Sequence, residues 1–170
     1  GMVSTSNEDY FQKIKLLRNH GSAVRYYHEL VGYNSRLDEL QAAIIRVKLR
    51  RINEFNKQRR DAAGLYRKHI TADAVMLPAE AADCLHVYHQ FTIRSGKRDL
   101  IMKTLESKSI ASAIYYPVPL HKQEVFSGLH KGSLAAAEKA SAEVLSLPMF
   151  PEISEEEILR VSEAVNDSCQ

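Results

Sequence analysis

The stretch Gly32-Tyr33-Asn34-Ser35-Arg36-Leu37-Asp38-Glu39-Leu40-Gln41-Ala42-Ala43 constrains this chain more than any other. A short polar loop runs into a helix start, and the pattern behind it stays helical to about Ile70. Ser35, followed three residues later by Asp38, has the form of a capping box, the shorter Asp standing in for Glu. Asp38 and Glu39 put negative charge in the first turn, at the positive end of the helix dipole. Leu37, Leu40, Ile44, Val47, Ile52, Phe55, Ala62, Tyr66 and Ile70 then recur near a 3.6-residue period. A polar loop held at one end by a long helix is where binding residues gather.

The 170 residues, 45% hydrophobic and 26% charged, suffice for one domain with a buried core, or one domain with an added segment. The net charge of +2 gives no global reason to bind nucleic acid or an anionic membrane. Two cysteines, Cys84 and Cys169, make no disulfide framework and point to a reducing, cytoplasmic setting. No apolar run nears the ~20 residues that span a bilayer, and the N-terminus lacks a signal-peptide pattern. Gly1 ahead of Met2 reads as an expression scar.

In chain order, Met2 to Thr5 has the look of a strand stub. Asn7 then caps a short helix with Phe11, Ile14 and Leu17 on one face, closing at Arg18-Asn19-His20-Gly21. Ser22 to Tyr33 is a long loop carrying Arg25, Tyr26, Tyr27 and His28. Beyond the long helix, the alternation from His86 to Arg94 predicts a strand and the pattern from Lys97 to Lys108 a helix. Ala113 to Tyr116 predicts a second strand, ended by Pro117 and Pro119, with a helical turn at Gln123 to Phe126. A helix over Ser133 to Leu145, a strand at Leu145 to Leu147 and a last helix behind the Ser154/Glu157 capping box complete the order. Strands alternating with helices make a small sheet with helices packed against it.

Spacing alone selects no reaction. His86 and His89 lie an odd offset apart on one predicted strand, so they point to opposite faces and share no metal ion. No zinc motif, Gly-rich phosphate loop or nucleophile elbow occurs. The basic run from Arg46 to Arg60 reads as a solvated helix face, interrupted by Glu54. Two stretches ask for more. Asn34, beside the amide groups of a helix start, suits an anion such as phosphate, and Arg36 in that first turn opposes the dipole and so wants a partner. From the residues alone, a turn-stabilising Asn and a surface ion pair are the favoured account of both. Pro117 and Pro119 stiffen the segment before His121 and would fix that imidazole for a polar ligand, or merely end an edge strand around a surface histidine.

Read together, the segments Met2-Val3, Lys15 to Gly21, Gly32 to Ala43, Arg59-Arg60-x5-Tyr66, His86 to Phe91, Tyr116-Pro117-x-Pro119-Leu120-His121 and Leu147 to Pro151 resemble, in order, the DegT/DnrJ/EryC1/StrS aminotransferases. These depend on pyridoxal phosphate (PLP) and act on nucleotide-linked sugars. The resemblance is to their C-terminal half only. It implies the α/β (α+β) small C-terminal domain of a fold type I aminotransferase, with residues 1–33 a remnant of the large-domain end and residues 34–170 the small domain. It also implies cofactor contacts made in trans by Asn34 and Arg36, with Arg36 helping to fix the loop, and substrate contact by His121. No catalytic residue and no metal ligand carries over, because the Schiff-base lysine of the family precedes the matched region. The expected partners are a second copy or a separate large-domain chain, and a nucleotide sugar. The expected activity is that of a sugar aminotransferase portion, inactive alone; the alternative is a non-catalytic interaction module derived from the family.

Overall fold

The computed structural model describes residues 2–126, 128–129 and 132–169, so Gly1, read as an expression scar, lies outside the described residues. The chain divides into two compact units, residues 1–51 and 52–170.

In the first unit, helix α1 (Glu8–Leu17) starts where the Asn7 side chain accepts the Tyr10 amide at 3.0 Å. The chain leaves it through left-handed His20 and Gly21, with φ of 60° and 73°, and the Gly21 amide donates back to the Leu16 carbonyl at 2.8 Å. Two close approaches make glycine necessary here. A Cβ on Gly21 would stand 1.8 Å from the Leu30 carbonyl oxygen, and one on Gly32 would stand 2.1 Å from the Gly21 nitrogen. The returning loop is stitched to the end of α1 by three main-chain bonds: His20 N to Tyr33 O at 2.9 Å, Tyr33 N to Leu17 O at 2.6 Å and Ser35 N to Arg18 O at 3.0 Å. Met2 to Thr5 forms no strand.

The capping box expected at Ser35 and Asp38 is not formed. Helix α2 (Glu39–Leu49) begins at Asp38, whose side chain makes no cap bond. Ser35 lies outside the helix because its amide is committed to the tertiary bond with Arg18. Nor is the long helix continuous. The Arg51 amide closes on the Lys48 carbonyl at 3.0 Å, and a new helix, α3 (Ile52–His69), follows. Neither Gly nor Pro marks this break. Its local sign is the like-charged pair Lys48 and Arg51, three residues apart and so neighbours on a continuous helix.

In the second unit, α3 turns Ala62, Ala63 and Tyr66 inward and packs on α6 (Glu155–Asp167), which also receives α4 (Arg98–Ser107). The sheet is one antiparallel pair, β1 (Phe91–Arg94) and β2 (Val144–Leu147), with Phe91 opposite Leu147 and Ile93 opposite Leu145. Helix α5 (Ala135–Glu143) runs directly into β2, so the helix expected to Leu145 stops two residues sooner. Single bridges extend the sheet on either side, Met76 to Arg94 and Ala113 to Ser146. The strand expected at Ala113 to Tyr116 is reduced to that one rung. Fully buried Tyr66, Phe91, Ile93, Ile101, Leu105 and Ile158 form the centre of the core. The Tyr66 ring stacks on Phe91 at 4.8 Å, its hydroxyl donates to the Pro148 carbonyl at 2.8 Å, and burial pushes its pKa up.

The strand expected from His86 is shorter at its start. Tyr88 adopts a left-handed φ of 46°, which reverses the alternation and buries its ring while Val87 turns outward. Polar bonds hold it there. Arg67 donates to the Tyr88 hydroxyl at 2.9 Å, and that hydroxyl donates to Glu80 at 3.3 Å. Among described residues, no helix is long and apolar enough to cross a membrane.

Candidate functional site

Asn34 and Arg36 belong to the first unit. The main-chain bonds around Tyr33 and Ser35 fix the backbone on both sides of Asn34, and residues Asn19 and Asn34 form an antiparallel bridge. The Asn34 side chain is exposed and makes no hydrogen bond among the described residues. It is a pre-positioned amide with its donors and acceptor still available. Arg36, also exposed, lines a hollow of about 380 Å³ with Lys15 and Arg18. The structure thus keeps Asn34 and Arg36 on one loop and gives them different surroundings.

His121 belongs to the second unit, in the 3-10 turn Leu120–Lys122, which a second such turn, Glu124–Phe126, follows. Pro119 holds the extended backbone just ahead of it, as the stiffened segment requires. Its side chain is 8% exposed, so it is not a surface histidine, and its Nε2 lies 3.1 Å from Glu138 Oε1. It lines a groove of about 650 Å³ between the Tyr115–Gln123 segment and α5, whose walls are mainly apolar: Tyr116, Pro117, Leu120, Leu134 and Val144.

Glu138 was not visible from spacing. It gathers the Lys122 ammonium at 2.6 Å, His121, the Ser133 hydroxyl at 2.9 Å and the Leu134 amide at 3.1 Å. Lys122 first, then His121 and Ser133, hold its carboxyl well below the ordinary value of 4.5, at about 2. The carboxylate caps the start of α5 and fastens the proline segment to it. No capping-box spacing announces this, since Ser133 and Glu138 are five residues apart.

The basic helix face also differs from expectation. Arg59 reaches the carbonyls of His89 at 3.3 Å and Met149 at 3.2 Å, and Arg60 binds Glu80 at 3.0 Å and the His86 carbonyl at 2.9 Å. These guanidinium groups are half-buried staples for the 80–89 segment. The His86 amide and Arg60 lower the Glu80 pKa, which keeps that pair charged. Among the described residues no group of three or more His, Cys, Asp or Glu could hold a metal ion.

Comparison with known proteins bears on the whole chain. The sequence model of the DegT/DnrJ/EryC1/StrS aminotransferase family matches residues 1–166. The chain is 45% identical over 170 residues to a pleiotropic regulatory protein of Geobacillus stearothermophilus, covering 97% of this chain and 46% of that one. It is 44% identical over 165 residues to the UDP-N-acetyl-3-dehydro-alpha-D-glucosamine 3-aminotransferase of Acidithiobacillus ferrooxidans, covering 97% and 45%. Its fold superposes with a TM-score of 0.93 on S. venezuelae DesV, solved with a ketimine intermediate, at 36% identity and with 98% and 46% covered. The chain therefore spans about half the length of these relatives, matching their C-terminal half. A family match along nearly the entire chain, together with the shared fold, has one meaning: this chain belongs to the DegT/DnrJ/EryC1/StrS aminotransferase family.

Proposed function

We propose that this chain works as the C-terminal portion of a PLP-dependent aminotransferase acting on a nucleotide-linked keto sugar, in the cytoplasm. The observation that carries this is the collinear family match over residues 1–166, with 44% identity to a relative named for that chemistry. In this reading residues 1–33 are the end of the large domain and residues 34–170 the small domain. Asn34 offers its amide to the cofactor phosphate of a second chain, Arg36 helps to hold the loop beside that phosphate, and His121 faces the sugar nucleotide.

The residues present do not make up a PLP site by themselves. PLP supplies the electron sink for amino transfer, and it needs an amine for attachment and an acidic partner for its ring nitrogen. Asn34 is a phosphate donor on an exposed loop, and no lysine here stands in a motif matching the Schiff-base lysine. The chain alone therefore does not transaminate. What it contributes is a loop stitched to the end of α1 by main-chain bonds and a histidine whose ring is oriented by Glu138.

One observation favours the interaction-module reading. Helix α2 buries no residue, and Leu40, Ile44, Val47 and Leu49 are all more than half exposed. In the aminotransferase reading the large-domain chain or a second copy covers this surface. The test mixes the chain with the separately expressed N-terminal half of the Acidithiobacillus relative, PLP, an amino-acid donor and the keto-sugar nucleotide. Turnover that falls at least about tenfold with Asn34→Ala is expected, the loss of a charge-assisted hydrogen bond. Complex formation without turnover supports the module instead. A unique pyridoxyl-lysine on the chain alone after borohydride, with turnover, overturns both.

A further inference from the structure

We propose that residues 114–121 form a strap that Glu138 latches shut over the groove beside α5, and that release of this latch admits the groove's ligand. The identity of that ligand, a nucleotide-linked sugar, rests on the reading of His121 given above; the latch itself does not. The first support is how little else holds the strap. At its start the Ala113 amide donates to the Ser146 carbonyl at 3.1 Å and the Ser146 amide donates back at 2.8 Å. Beyond that rung, among the described residues, each main-chain bond up to Gln123 stays inside the segment: Lys122 N to Pro119 O at 2.9 Å and Gln123 N to Leu120 O at 3.1 Å. Pro117 and Pro119 have no amide to offer. Tyr116 and Leu120 are each 74% exposed. The far end is fastened through side chains: His121 and Lys122 reach the one carboxylate of Glu138, at 3.1 and 2.6 Å.

The second support is what the latch does to His121. A carboxylate only accepts hydrogen bonds, so Nε2 carries the hydrogen it gives to Glu138 Oε1. With that atom committed and the side chain 8% exposed, Nε2 meets a ligand only after it leaves Glu138. The two walls of the groove differ in how they are held. One is α5 and the start of β2, presenting Leu134, Ala137, Ala140 and Val144. The other is the strap, which its prolines stiffen so that it lifts as a body about its ends. Glu138 also accepts from Ser133 Oγ and the Leu134 amide at the start of its own helix, so it stays behind when the strap lifts. Lys122 first, then His121 and Ser133, keep its carboxyl ionised near neutral pH, so the latch opens by exchange of partners and not by protonation.

The test is amide-resolved NMR relaxation of the full chain, followed by titration with UDP-N-acetylglucosamine. In the wild type the amides of Tyr115, Tyr116, Val118 and Leu120 should have order parameters near those of β1 and β2, about 0.85. Glu138→Ala, and separately His121→Ala combined with Lys122→Met, should each drop them below about 0.6 while β1 and β2 keep theirs. Ser133→Ala removes a bond to the same carboxylate from the α5 side only and should leave the strap rigid, which separates the latch from the helix cap. Unchanged order parameters in the latch variants overturn the proposal, as does equal loosening in Ser133→Ala. The sugar nucleotide should shift the amides along the groove, and Glu138→Ala should bind it about tenfold tighter, because the closed state no longer competes. A merely structural Glu138 predicts weaker binding instead, and that result overturns the gating role. No shift along the groove overturns the identification of the ligand, and the relaxation data still decide the latch.

Discussion

At the scale of single residues, Glu138 ties the 3-10 turn Leu120–Lys122 to the start of α5. Its carboxylate holds Lys122, His121, Ser133 and the start of α5 together, and those donors depress its pKa from 4.5 to about 2. The folded state thus prefers the charged carboxylate more than the unfolded chain does. The stabilisation is present in full above the ordinary pKa of 4.5 and is lost as the pH falls through about 2. Glu138→Gln should lower the denaturation midpoint near neutral pH, and the gap from wild type should narrow between pH 4.5 and about 2. Urea melts across that range measure it, and a gap that stays constant would refute the linkage. The same variant should alter the Glu138 contact to the His121 ring, seen as a changed imidazole spectrum. Nothing in the order of residues pointed to this acid, because His121 and Lys122 lie 17 and 16 residues away and only folding brings them to it.

At the scale of elements, helix ends were legible where their caps are local. Asn7 and the Ser154/Glu157 box do what their spacing announces: Ser154 Oγ accepts the Glu157 amide at 3.2 Å, and Glu157 accepts the Ser154 amide at 2.8 Å. Those bonds also hold the Glu157 pKa low. Ser154→Ala should cost about 1 kcal/mol of stability in chemical denaturation, with Ser154→Thr close to wild type. The Ser35/Asp38 box had the same local form and failed, since Ser35 is engaged by α1 before the helix begins. The strands were overread for a related reason. Alternation from His86 onward is interrupted by the turn at Tyr88, which Arg67 and Glu80 stabilise from outside the segment. Ala113 to Tyr116 finds one partner residue, Ser146, and then leaves the sheet.

At the scale of the whole molecule, the hydrophobic core lies entirely within residues 52–170, from Ala62 to Val165. Among the described residues, those up to 51 bury only Gly21 and Ser22 and are held chiefly by main-chain bonds. Their local stability should therefore be low. Limited trypsin digestion is expected to cut first at Arg50 or Arg51, leaving a resistant fragment that begins near Ile52 and still unfolds cooperatively. A first cut inside residues 52–170 that leaves residues 1–51 as the resistant fragment would contradict this division. The exposed apolar residues of α2 sit in the same weakly held unit, and a covering partner would be expected to slow the cut.

The sequence by itself determined the family, the places of α1, α4, α5 and α6 in the chain, the capped helix starts at Asn7 and Ser154, and the buried faces of α3 and α6. Each of these rests on short-range spacing or on a collinear pattern, which survives without coordinates. Only the tertiary structure decided that the long helix breaks after Arg50, that Tyr88 turns inward, that Glu138 orients His121, and that Arg36 meets Lys15 and Arg18. The last three depend on bonds between residues far apart in the chain, where the energy of a contact outweighs a local preference of about a few tenths of a kcal/mol.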